Sequence, residues 1–214
     1  MHYSNILFDL DGTLTDPGIG ITKSVQFALN KLGIAEEDLS KLEKFIGPPL
    51  QESFKQYYSL TDDRAWEAVE YYREYFKARG LYENEIYEGI EQLLQLLKKQ
   101  GRSLYVATSK PTVFAEEIVS HFHLVHYFDR VHGSELDGTR SDKGELIRHV
   151  METNGLPLTS AVMIGDRKHD IIGAVKNQIH SIGVGYGFGS REELIAQRPT
   201  FYYNTVQELT QAFL

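Results

Sequence analysis

Cysteine is absent from the 214 residues. Disulfides, thiolate metal sites and cysteine nucleophiles are therefore excluded. No apolar run approaches the roughly 20 residues that span a bilayer, so no membrane helix is expected. The first residues lack a basic stretch leading into an apolar one, and no secretory signal is read there. Cationic residues are in deficit, with 22 Lys and Arg against 30 Asp and Glu, a formal net charge of -8. Nucleic acids and anionic membranes both require clustered basic residues, so neither is expected as a partner. These absences fit a cytoplasmic protein, expected as a monomer or weak homodimer. They also pose a problem for any anionic substrate, which an acidic protein must repel unless a cation intervenes.

What is present is ordinary for a globular chain: 42% apolar and 24% charged residues, enough to build a substantial core. The patterning changes character once. Asn5 to Leu10 reads as a short buried strand, broken by Asp11-Gly12-Thr13 and then Asp16-Pro17-Gly18. From Ile19 to about Gly80 the pattern is helical. Ile21, Val25, Ala28, Leu29 and Leu32 form one stripe, and a second helix starts at Asp62 and Asp63. After that, strands and helices alternate. Strands are expected over Ser103–Thr108, near Arg130–His132, and over Ala161–Gly165 and Ser181–Val184. Helices are expected over Gly89–Gln100, from Pro111, and over Asp142–Asn154, His169–Asn177 and Val206–Phe213. Alternation of this kind predicts an α/β fold, a doubly wound parallel sheet covered on both faces. The expected organisation is a core of residues 1–16 and 86–214 with an inserted all-helical cap of residues 17–85.

Ligands of open parallel sheets bind beyond the carboxyl ends of the strands. Asp9 and Asp11, Thr108 and Ser109, and Asp166 with Asp170 all fall there. Residues two apart on a strand face the same side, and two adjacent carboxylates resist ionising together unless a cation or proton intervenes. A carboxylate can attack phosphorus to form an acyl phosphate, splitting one hard displacement into two easier ones. The second carboxylate can protonate the leaving oxygen and later deprotonate water. A calcium loop starting at Asp9 would need glycine at its sixth position and glutamate at its twelfth. Those positions hold Leu14 and Gly20, which removes that reading.

The segment Phe8-Asp9-Leu10-Asp11-Gly12-Thr13-Leu14 resembles the nucleophile motif of the haloacid-dehalogenase-like hydrolases. Val106 to Pro111 resembles the second motif of that family. Lys143 occupies the place of its lysine, and Ile164-Gly165-Asp166-Arg167-Lys168-His169-Asp170 resembles its acidic motif. The four stand in the family's order. The resemblance implies a Rossmann-like core and an Mg2+-dependent phosphatase. It implies Asp9 as nucleophile and metal ligand, and Asp11 as general acid and base whose backbone carbonyl also meets the metal. Thr108 would hydrogen-bond the phosphoryl group, and Lys143 would neutralise charge between phosphate and nucleophile. Asp166 and Asp170 would complete the metal site. Gly12 and Ser109 join Thr108 and Lys143 as expected substrate-binding positions. An all-oxygen ligand set suits Mg2+.

Within the family, a helical cap between the first two motifs resembles the phosphoglycolate phosphatase branch, with Phe45-Ile46-Gly47-Pro48-Pro49-Leu50 as its cap loop. Gly47, Lys23 and Lys44 are the cap positions expected to meet the substrate. Leu50 stands where phosphosugar mutases carry arginine and phosphonatases carry lysine, which disfavours both. Asp11 disfavours a dehalogenase. The expected substrate is a small-molecule phosphate ester of the phosphoglycolate type, with a nucleoside monophosphate as the alternative. A non-catalytic phosphate sensor would be expected to have lost Asp9, Asp11 or Lys143. His121, His123 and His126 are read as lying on different sides of a helix rather than as a metal cluster. The glycines at 183, 185, 187 and 189 are read as a flexible loop beside the site, not a nucleotide loop.

Overall fold

The structure, a computed structural model, describes residues 1–214. Its main sheet grows outward from one short, wholly apolar strand. Ile6, Leu7 and Phe8 have no solvent exposure at all, and a strand buried on both faces needs partners on both edges. Strand β1 (Asn5–Phe8) finds them in β4 (Ser103–Pro111) and β6 (Ala161–Gly165). Further out lie β5 (Arg130–Ser134), β7 (His180–Val184) and β8 (Phe201–Tyr203). The six strands run in the order β5-β4-β1-β6-β7-β8, all neighbours parallel. Short strands β2 (Thr15–Asp16) and β3 (Glu85–Ile86) form a separate two-stranded sheet.

Helix α5 (Thr112–His121) links β4 to β5 on one side of β1, and α7 (Lys168–Lys176) links β6 to β7 on the other. Right-handed crossovers running in opposite directions put their helices on opposite faces of the sheet. Helix α6 (Lys143–Asn154) and α7 cover the face carrying Leu7, Tyr105 and Met163, against which Leu146, Ile147, Val150 and Ala174 pack. The alternate side chains, Ile6, Phe8 and Val106, fill the other face. This is the doubly wound fold, and its direction reverses at β1. The register puts Phe8 opposite both Val106 and Ile164, so the residues just beyond these three positions emerge at one end of the sheet, at the switch point.

By contact density the chain divides into Met1–Asp16 with Ile86–Leu214, and Pro17–Glu85. The second unit is helical: α1 (Gly18–Lys31), a 3-10 turn over Leu39–Phe45, α2 (Leu50–Tyr58) and α3 (Asp62–Tyr75). The Thr61 side chain accepts from Arg64 N and starts α3, with Asp62 and Asp63 favourably placed in the first turn. Phe45 packs against Phe54 at a ring separation of 4.9 Å, and Tyr72 stacks on Phe76 at 5.3 Å. These four rings are buried in the core of the segment, whereas Phe27, Tyr57, Tyr58, Trp66, Tyr71 and Tyr75 are only partly buried.

Several sequence expectations need correction. Pro111 is at once the last residue of β4 and the N-cap of α5, which begins at Thr112, one residue later than expected. Proline's missing N–H does no harm here because pairing between β4 and β5 breaks between Ala107 and Pro111. The helix carrying His121 stops there, and His123 adopts a left-handed φ of 58°, so the three histidines do not share a helix. Short α8 (Arg191–Ala196) and edge strand β8 were not foreseen.

His132 lies on β5 with its Nε2 3.0 Å from the Asn154 amide nitrogen. An amide can only donate there, so the ring is neutral. Burial first, then His149, Arg130 and Arg140, pull its pKa down to about 4. The unfolded chain therefore binds a proton that the folded chain refuses between about pH 6.5 and 4. This stabilisation is complete above pH 6.5 and is lost as pH falls through that window, by roughly 2–3 kcal/mol. Urea unfolding of wild type and His132→Gln at pH 7 and pH 4.5 is expected to show a smaller acid loss in the variant.

Candidate active site

Asp9 follows the last residue of β1, Thr108 lies in β4, and Asp166 follows β6. Adjacent parallel strands thus deliver a carboxylate, a hydroxyl and a second carboxylate to one end of the sheet. Asp170 comes from the first turn of α7 and Lys143 from the first residue of α6. Ligand oxygens of Asp9, Asp166 and Asp170 lie within 4.8 Å of one another. The Lys143 ammonium sits between two of these acids, 2.9 Å from Asp9 Oδ1 and 2.9 Å from Asp170 Oδ1, and donates to Ala107 O at 3.0 Å. Asp11 faces a different cation: its Oδ2 is 2.9 Å from Lys110 Nζ.

Local structure explains why each side chain is held. Gly12 takes φ 78°, and a Cβ there would come within 2.2 Å of Asp166 Oδ2. Only glycine allows the turn after β1 to pass that close to the carboxylate. Asp170 divides its oxygens: Oδ2 accepts from Arg167 N at 3.1 Å, capping α7, while Oδ1 meets Lys143. Asp142 caps α6 by accepting from Glu145 N at 3.0 Å, which fixes the helix start that presents Lys143. The Thr108 hydroxyl accepts from Lys110 N at 3.2 Å. Ser109, expected at the substrate, donates its hydroxyl to Ser141 O at 3.0 Å and so ties down the loop before α6. Gly47 and Lys23 belong to the helical unit. Gly47 adopts φ 101°, while Lys23 is ion-paired with Glu83 at 2.7 Å, so its charge already has a partner. Lys44 lies 4.4 Å from the Tyr57 ring centre.

The electrostatics are severe. Asp9, Asp11, Asp166, Asp170 and Lys143 are all buried, none more than 7% exposed. Burial, then Asp9 and Asp170, pushes the Asp166 carboxyl well above the usual range. Burial also raises Asp11 and Asp170, opposed by Lys110 and Lys143 respectively. Burial works against the charge on Lys143, but Asp170 and Asp9 more than offset it and raise its pKa. Four buried carboxylates face two buried ammonium groups; formally, two negative charges are left over. One divalent cation would balance them. The donors are all oxygen, which suits a hard ion. The residues therefore fit a metal centre.

Sequence reasoning missed three contributors. Lys110 lies inside the Thr108-Ser109-Lys110-Pro111 segment, whose pattern alone assigns it no role. Thr13, wholly buried, places Oγ1 3.5 Å from Asp166 Oδ1. The glycine segment is a close-packed strap rather than a flexible loop. Phe188 N donates to Asp166 Oδ2 at 2.8 Å, and Tyr186 donates to Thr13 O at 3.0 Å. A Cβ on Gly187 would meet Gly12 O at 2.2 Å and Asp166 Cβ at 2.5 Å. The glycine is there to let two backbones touch beside the carboxylate.

The chain is similar to known proteins along nearly its whole length. Residues 6–184 match the sequence pattern of the haloacid dehalogenase-like hydrolases. A Pseudomonas aeruginosa protein named 5'-nucleotidase is 57% identical over 211 residues, covering 99% of this chain and 96% of its own. The tyrosine-protein kinase PtkA of Mycobacterium tuberculosis is 37% identical over 213 residues, covering 97% of this chain and 71% of its own. A crystal structure from Clostridium acetobutylicum, described as a predicted phosphatase, superposes with a TM-score of 0.97 at 53% identity, covering 99% of this chain and 98% of that one. The chain belongs to the haloacid dehalogenase-like hydrolase family. Within it, the enzyme class is that of the phosphoric monoester hydrolases.

Proposed function

We propose that the protein hydrolyses a small-molecule phosphate monoester through a phosphoryl group carried on Asp9, with Mg2+ as cofactor. The observation that carries this reading is the buried Asp9, Asp166 and Asp170 group with Lys143 bridging Asp9 and Asp170. Asp9, Asp166, Asp170 and the Asp11 backbone carbonyl would hold the ion. When bound, Mg2+ supplies charge neutralisation for the phosphoryl oxygens at neutral pH.

The remaining chemistry belongs to side chains. Asp9 attacks phosphorus while the bond from phosphorus to the leaving oxygen breaks, and Asp11 gives that oxygen a proton. Asp11 then takes a proton from water, whose oxygen attacks the same phosphorus. The bond to Asp9 breaks, inorganic phosphate forms, and both aspartates return to their starting states. Lys143 stabilises the negative charge that gathers around Asp9 during both steps. The Thr108 hydroxyl, buried in β4, orients the phosphoryl group, and Gly12 lets the backbone approach it.

The leaving group has two readings. The cap-loop resemblance supports a phosphoglycolate-type substrate, and relatives named phosphoglycolate phosphatase are 26% identical over 91–98% of this chain. A nucleoside monophosphate is supported by the 57% identical relative named 5'-nucleotidase. Phosphate release from phosphoglycolate, nucleoside monophosphates and sugar phosphates, with Mg2+ and with chelator, tests both. Turnover that survives chelation would defeat the metal assignment. No turnover on any of the panel by folded protein would defeat the hydrolase reading.

A further inference from the structure

Asp11 has an environment unlike that of the other acids. Its Oδ2 is held by Lys110 at 2.9 Å, with both side chains less than a tenth exposed. Its Oδ1 is buried and has no hydrogen-bond partner. The main chain around Asp11 is held by a hydrogen-bonded turn, Gly12 N on Thr15 O at 2.8 Å and Leu14 N on Leu10 O at 2.9 Å, but that turn does not touch the carboxylate, whose restraint is the ion pair with Lys110. Lys110, by contrast, is itself rigidly seated. It lies in β4 within the register break with β5, between the paired positions Ala107 and Pro111. Its carbonyl packs so close to Gly133 that a Cβ there would come within 2.3 Å of it.

We propose that Lys110 is a positioning residue, which pins Oδ2 of Asp11 and leaves Oδ1 as the oxygen that exchanges a proton with the departing group. The inference rests on the acid–base role assigned to Asp11 above. A carboxylate that serves as proton donor in one step and acceptor in the next must present the same oxygen twice. A side chain with two rotatable bonds in a cluster of repelling acids does not stay in place unaided. A cation fixed on one oxygen supplies the restraint, and Lys110 is the cation the structure puts there.

The alternative role for the same ammonium is contact with the phosphoryl group itself, and leaving groups separate the two. A proton donor matters little when a stable phenolate departs and greatly when an alkoxide must. The experiment measures kcat and KM on para-nitrophenyl, phenyl and benzyl phosphate with Mg2+, for wild type, Lys110→Met and Lys110→Arg. Lys110→Met is expected to lose less than about tenfold in kcat on the nitrophenyl ester and about a hundredfold or more on the benzyl ester. Lys110→Arg, which keeps a charged donor, is expected to recover most of the benzyl rate. Equal losses on all three esters, or a loss confined to KM, would overturn the proposal in favour of phosphate contact. Unchanged rates would overturn it outright. If wild type hydrolyses none of the three, the hydrolase reading fails first, a result distinct from any ratio between variants. Lys110→Gln replaces the methionine variant should that one not fold.

Discussion

Asp9→Asn is expected to lose at least roughly a thousandfold in kcat while remaining folded. The amide is isosteric but cannot attack phosphorus, so no acyl phosphate forms. The fold should survive for reasons visible around the side chain. An asparagine oxygen can still accept from Leu10 N, which lies 2.8 Å from Asp9 Oδ1, and Lys143 keeps Asp170 as its counterion. Losing one of several repelling charges relieves strain in the absence of metal. Circular dichroism and thermal unfolding would register the intact fold, and phosphate release the lost activity. Rates near wild type would remove covalent catalysis through Asp9.

Asp166→Asn is expected to separate stability from activity even more sharply. Because burial and its acidic neighbours raise the Asp166 pKa, the unfolded chain releases this proton at a lower pH than the folded one. The contribution to stability is therefore greatest below the ordinary carboxylate pKa and falls as pH rises towards the folded value. Near neutral pH the metal-free wild type carries that penalty, and the asparagine variant does not. Its Tm in chelator should equal or exceed wild type at pH 7.5, with the difference shrinking on acidification. The sign is opposite to that of His132, so the two variants isolate opposing contributions to one pH profile. Mg2+ should raise the stability of wild type, by about 2.7 kcal/mol at a hundredfold excess over Kd, and leave Asp166→Asn unmoved. Activity should fall at least roughly a hundredfold. A metal-free variant markedly less stable than wild type would show that the carboxylate is held by favourable contacts with Phe188 N and Thr13 rather than against repulsion.

The parallel sheet and its helical insert were legible because both rest on periodicity. Ile6-Leu7-Phe8 followed by Asp9-Leu10-Asp11-Gly12 reads as a buried strand meeting a turn, and the stripe from Ile21 to Leu29 has helical spacing. Residues 191–203 were not legible: Phe201-Tyr202-Tyr203 is a three-residue edge strand, partly exposed, without the alternation that marks a longer one. At the site, Asp9 and Asp166 stand out because each is an acid directly after an apolar strand; Asp170, in the first turn of α7 and capping it, stands out only through its place in the acidic motif. Lys110 does not, because its pairing with Asp11 depends on a register break between β4 and β5 that no local pattern announces. The glycines at 187 and 189 misled for a related reason. Glycine marks both freedom and close approach, and only the packing of Gly187 and Gly189 against Asp166 distinguishes them.

Phosphoryl transfer to a carboxylate inside an acidic pocket is the central claim, and chemical trapping addresses it directly. A turning-over sample of wild type with Mg2+ and para-nitrophenyl phosphate would be quenched in acid, reduced with borohydride and digested. An acyl phosphate on Asp9 is reduced to homoserine, and mass spectrometry should find that conversion in the peptide bearing Asp9 alone. Full turnover with an unmodified Asp9 peptide, or conversion at another acid, would contradict the account.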